Sequence, residues 1–173
     1  TYDGDNNVLT VKADEPAGAY QETAYVYGVT TAGGSGVNSN DLLSAVQHAD
    51  PTTGNPSSSQ QDSYLVNALG ETTQSTDRNG NVHQYSYDVL GRVTSDAVTT
   101  LGAGVDGAVR RITTAYDSQG NAYLVTSYDA PTGGNIVNQV LRTFNGLGQL
   151  TAEYQSHSGA VNVNTTPSVQ YAW

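Results

Sequence analysis

The sequence predicts an all-β fold of successive antiparallel hairpins, forming a curved and twisted sheet. Three observations carry that prediction. The first is composition. The 173 residues include 12 Tyr and 19 Gly but no Cys or Met, and 13% are charged, against about 25% in an average domain. Thr, Ser, Asn, Val and Tyr dominate. β-branched and aromatic side chains fit a pleated surface, and Asn, Gly and Asp fit turns. The second is a recurring turn signature: an aromatic or apolar residue, then Asp or Asn, two residues, then Gly or Asn. The third is period-two alternation between these turns, which marks a strand with one buried face.

Taken in chain order, Tyr2-Asp3 leads to Asn6. Residues 30–40 then form a Gly-rich loop, and residues 50–63 a polar loop rich in Ser, Gln and Pro. Both are expected to be exposed, mobile insertions. Between them, Leu42 to His48 reads as a strand, with a short helix as the alternative. Val66-Asn67 leads to Gly70. Tyr85-Ser86-Tyr87-Asp88-Val89-Leu90-Gly91-Arg92 is the fullest copy. Ile112, Thr114 and Tyr116 share a face, and Tyr116-Asp117 leads to Gly120. Tyr123, Val125 and Ser127 share another. Ile136, Val140 and Phe144 follow, with Phe144-Asn145 leading to Gly148; Val169, Tyr171 and Trp173 alternate at the end. The later glycines recur at intervals of roughly 20–30 residues, as in repeat arrays. The reading is one array over residues 1–173.

The physics of the signature is local. Gly, or less readily Asn, accepts positive φ. Asp or Asn ahead of it bonds the turn backbone through its side chain. The preceding aromatic is expected to pack inward, contributing about 2 kcal/mol. A lone hairpin is marginal in water, so each needs neighbours.

Charge excludes several partners. The formal net charge is −10, with 6 Lys and Arg. A phosphate backbone demands a basic face, so nucleic acid is not an expected partner, nor is an anionic membrane. No apolar run approaches the roughly 20 residues of a membrane-spanning helix. Without Cys there is no disulfide or thiolate metal site. No signal peptide is visible, and the simplest reading is a piece of a longer chain.

No pattern points to chemistry. Asp3-Gly4-Asp5-Asn6-Asn7 could offer oxygens to calcium, but lacks the glycine and distal glutamate of an EF-hand; a turn is the better reading. His48, His83 and His157 are scattered, without helical zinc spacing; His83 alternates with Tyr85 and Tyr87 and should share their face. No Gly-x-Ser-x-Gly elbow occurs. Asp88 and Asp117 could be a glycosidase pair, but they occupy one repeat position, where Asp caps a turn. Gly102-Ala103-Gly104 opens no helix and is no phosphate loop. Asn164-Thr165-Thr166 is a formal glycosylation sequon. Tyrosines at repeat positions are expected in the core rather than on a sugar-binding surface. No catalytic, cofactor or metal residue is assigned.

The segment Tyr85 to Thr94 resembles the YxYDxxGRL core of RHS/YD repeats, and Arg78-Asn79-Gly80-Asn81-Val82 resembles the family's preceding Gly-Asn segment. Degenerate copies at Tyr2, Val66, Tyr116 and Phe144 extend the likeness. The resemblance implies a segment of a hollow β-shell, as in bacterial RHS toxins, the cocoon components of insecticidal toxin complexes and the teneurins. It implies a secreted or cell-surface protein without enzymatic activity, and the richness in Thr, Asn and Gly points to a bacterial one. Expected partners are neighbouring repeats, other copies, an enclosed toxin domain or a glycan; a carbohydrate- or protein-binding module, able to form fibres, is the alternative. The family's closing self-cleavage segment has no counterpart: Asp50-Pro51-Thr52-Thr53-Gly54 lacks the rest of that motif.

Overall fold

The computed structural model describes the backbone of residues 1–173 and every side chain except that of Ala17. The fold is all-β, with twelve strands and no α-helix among the described residues. Two compact units divide it, Thr1–Val82 and His83–Trp173.

The first unit holds β1 (Thr10–Asp14), β2 (Tyr20–Val29), β3 (Ser39–Ala49), β4 (Pro56–Val66) and β5 (Thr72–Thr76). A short 3-10 turn, Pro16–Gly18, joins the first two. The strands pair antiparallel in chain order. The second unit holds all but the first residue of β6 (Val82–Tyr87), then β7 (Val93–Thr100), β8 (Arg111–Tyr116), β9 (Ala122–Tyr128), β10 (Ile136–Phe144), β11 (Leu150–Ser156) and β12 (Ser168–Gln170). These too are neighbours in chain order, with β7 to β12 in antiparallel register. Leu42 to His48 lies within β3, so the strand reading holds over the helix.

Each unit is a single open layer, which decides what can be buried. The buried apolar residues are Val29, Ala45, Val66, Ala97 and Ala152. Small residues fill these positions because close strand neighbours, not a second layer, cover them. β9 is covered on both faces at Thr126 and Ser127. Thr126 Oγ1 there accepts a bond from Gln139 Nε2 at 2.9 Å, satisfying a hydroxyl that would otherwise be stranded.

Three sequence expectations fail for reasons of packing. Residues 56–63 are strand, the first part of β4, and the loop shrinks to 50–55. Ser and Gln there serve a strand exposed on one side, where polarity is no obstacle. The Gly-rich stretch is not wholly exposed: Ser35 is buried, its Oγ accepts Val66 N–H at 3.2 Å, and Gly36 N–H donates to Val66 O at 2.6 Å. The repeat aromatics Tyr85, Tyr87, Tyr116 and Phe144 are half-buried and Tyr2 is exposed, because a single layer offers no deep core.

No helix among the described residues is long and apolar enough to cross a membrane, which says nothing of a β-barrel.

Candidate functional site

The sequence signature folds into one hydrogen-bonded device. In the Asp88 turn, Gly91 N–H donates to Asp88 O at 3.0 Å, and Asp88 N–H donates to Arg92 O at 3.0 Å. The first bond closes a β-turn; the second closes the hairpin around a three-residue loop. Gly91 sits at φ 77°, the left-handed conformation this loop requires and glycine adopts without steric cost. Asp88 Oδ1 accepts from Leu90 N–H at 2.9 Å and Arg92 N–H at 3.1 Å. Asp88 Oδ2 accepts from Arg92 Nε at 2.7 Å.

The Asp117 turn repeats this atom for atom. Gly120 N–H donates to Asp117 O, Oδ1 accepts from Gln119 and Asn121 N–H, and Oδ2 accepts from Asn121 Nδ2 at 3.0 Å. The Asp3 turn does likewise with Asn7. There Asn6 replaces glycine at φ 69°, the one non-glycine at positive φ among the described residues. The Asn67 and Asn145 turns keep the same backbone bonds and the same Oδ1 acceptance. In three hairpins the register shifts at the residue before the anchor, so Val66 faces Thr72, Tyr116 faces Ala122 and Phe144 faces Leu150. This is the bulge that admits the extra turn residue.

One copy escaped the sequence reading. Asp77 anchors an equivalent turn: Gly80 N–H donates to Asp77 O at 2.9 Å, and Asn81 Nδ2 to Oδ2 at 2.7 Å. Thr76 stands before it where the signature asks for an aromatic. The local signal is Asp77-x-x-Gly80, preceded by a polar Thr76 where the other copies carry an aromatic or apolar residue. Asp50 and Asp129 cap wider loops by the same means, Asp129 through Asn135.

The turn carboxylates are committed to structure. Bonds from the Asn7, Arg92, Asn121 and Asn135 side chains hold Asp3, Asp88, Asp117 and Asp129 below the ordinary aspartate range; backbone N–H of Thr53 and Thr52 does so for Asp50. A general acid needs the opposite shift. Asp88 and Asp117 are each engaged by their own turns.

Neighbouring turns in the second unit also touch. The Arg92 guanidinium lies over the Tyr116 ring, 4.2 Å from its centre, and Tyr116 Oη donates to Val93 O at 3.1 Å. Gln119 Nε2 donates to Gly146 O at 3.2 Å. Arg92 thus binds its own anchor and caps the next hairpin's aromatic.

The histidines stay apart. His48 Nε2 is 2.8 Å from Asp62 and His83 Nδ1 is 2.7 Å from Asp96, while His157 is exposed. The His83 ring stacks on Tyr85 at 6.1 Å. Among the described residues no group of three His, Asp or Glu could hold a metal. A cavity of about 470 Å³ opens in the first unit, lined by residues including Glu15, Tyr20, Gln21, Asp50, Thr52 and Thr53.

The RHS Repeat family matches residues 66–103, the span of the Asn67, Asp77 and Asp88 turns. Residues 66–103 thus carry an RHS repeat. In structure it is similar to a chain from "Crystal Structure of TcdB2-TccC3-TEV", at 12% identity and a TM-score of 0.32, over 97% of this chain and 11% of that one. It therefore spans about a tenth of that chain's length, and the likeness carries no argument on function. Comparison with curated proteins gives no match.

Proposed function

We propose that the chain is a non-catalytic structural segment of a large secreted or cell-surface RHS/YD-repeat protein. In this reading it forms part of a β-shell that encloses or presents another domain. The observation that supports it is the repeated turn. Six anchors, Asp3, Asn67, Asp77, Asp88, Asp117 and Asn145, each spend both side-chain polar atoms on closing a hairpin. The residues that recur most faithfully therefore build an array and leave no reactive group over. Single-layer sheets suit a wall, which needs area more than depth. Neighbouring repeats, or other copies, are the natural partners.

Electron microscopy of the parent protein tests this. The expected image is a closed wall around an inner density; an extended array that encloses nothing refutes it. Turnover of any substrate that survives refolding and disappears in Asp88→Asn and Asp117→Asn would refute the non-catalytic part.

A second reading is a glycan- or protein-binding module. The 470 Å³ cavity beside Tyr20 and Asp50 favours it, being concave and lined by polar side chains. A glycan array probed with the chain separates the two. Silence supports the wall; binding lost in Asp50→Ala supports the module.

A further inference from the structure

The family signature writes Arg at the fifth residue of each turn, as at Arg92, but across this chain that residue changes with the anchor. Every anchor presents two side-chain polar atoms. Oδ1 does the same work in all six turns, accepting backbone N–H from the third and fifth residues. That fixes the side chain's orientation and aims its other atom at the fifth residue. For Asp anchors that atom is a carboxylate oxygen, and the fifth residue is a donor: Asn7, Asn81, Arg92 and Asn121, at 3.0, 2.7, 2.7 and 3.0 Å. For Asn anchors it is an NH₂ donor, and the fifth residue is an acceptor: Glu71 Oε2 at 2.6 Å and Gln149 Oε1 at 2.7 Å. All six turns are matched.

We infer that the fifth residue is the determinant of anchor identity: an accepting anchor takes a donor, a donating anchor takes an acceptor, and the two form one exchangeable pair. The physical reason is the orientation just described. With Oδ1 held by two backbone donors, an Asn anchor cannot flip its amide to suit a wrong partner, and an Asp anchor has only acceptors to offer. The inference rests on turn geometry and holds whether or not the array encloses a cargo.

The two Asn anchors provide a discriminating test. Asn67→Asp sets a second carboxylate against Glu71, whose oxygens cannot donate when ionised. Asn145→Asp faces Gln149, whose amide rotates end over end and donates instead. One substitution at one repeat position therefore has opposite expected outcomes. Hydrogen exchange at pH 7 is read at the third and fifth amides of each turn. In Asn67→Asp the Leu69 and Glu71 amides exchange at least about tenfold faster, the scale of one like-charge contact. In Asn145→Asp the Leu147 and Gln149 amides stay within about twofold of the parent, since one hydrogen bond replaces another. The double variant Asn67→Asp with Glu71→Asn restores protection, and does so even if Asn67→Asp alone fails to fold. Equal exchange in the two single variants, or a double variant no better than Asn67→Asp, overturns the inference.

Discussion

Gly36→Ala measures how firmly the Gly-rich stretch is bound to the sheet. An added Cβ at Gly36 would lie 2.8 Å from Ala68 N, 2.9 Å from Asn67 C and 3.0 Å from Asn67 Cα. These are backbone atoms of the Asn67 turn and cannot swing aside as a flexible side chain does. The stretch must lift. It then loses the bond from Gly36 N–H to Val66 O and that from Val66 N–H to Ser35 Oγ. At about 1 kcal/mol each, these bonds account for about 2 kcal/mol. Val66, 5% exposed, loses part of its cover for about 1 kcal/mol more. The expected destabilisation is about 3 kcal/mol, read as a lower urea midpoint at unchanged slope. Gly146→Ala is the control. Gly146 lies in the equivalent turn, its added Cβ meets nothing within 4 Å, and Ala68 already occupies that turn position. It should stabilise by about 0.4–1 kcal/mol through the unfolded chain. If both variants melt at the same urea concentration, residues 30–40 are the free insertion that composition suggests.

Four further outcomes are expected. Acid should open the turns selectively. Asp3, Asp88 and Asp117 titrate below their unfolded values, so they stabilise the fold above about pH 4 and cease to as pH falls through the folded values. The Asn145–Gln149 turn has no titrating partner, and amide exchange in acid should leave it protected after the Asp88 turn opens; simultaneous loss refutes this. Gln139→Ala removes the partner of Thr126, 2% exposed, and the acceptor of Val161 N–H at 2.8 Å; thermal unfolding should register a loss of about 1–3 kcal/mol. Arg111→Ala should free the 129–135 loop, because Arg111 donates to Pro131 O and Gly133 O and lies over the Tyr128 ring; unchanged exchange at residues 131–135 would count against it. Asn6→Gly should raise the melting temperature slightly, since Asn6 holds φ 69° where glycine is unstrained.

What the sequence determined by itself is local. A turn is a contract among five consecutive residues, so Asp88, Asp117, Asn67, Asn145 and Asp3 could be recognised without knowing what surrounds them. The strands between them follow from period-two alternation, and Leu42 to His48 reads as strand from its length and its place in the array. The Asp77 turn is equally local; it is missed in the sequence because Thr76 is neither aromatic nor apolar, a feature that packing favours and the turn's hydrogen bonds do not need.

The tertiary structure decided everything that depends on who lies alongside. Composition placed residues 50–63 in a loop, yet β4 pairs with β3 from Pro56, because backbone bonds to a neighbour stabilise a polar strand as well as an apolar one. Composition likewise left residues 30–40 free, and only Val66, some thirty residues later, ties them down. Burial was settled in the same way. Tyrosines that alternate as core residues do are half-buried, since alternation marks a face and cannot say whether a second layer covers it. The turn that could be read first in the sequence keeps its place: its chemistry is complete within itself, and its neighbours decide what the hairpins build.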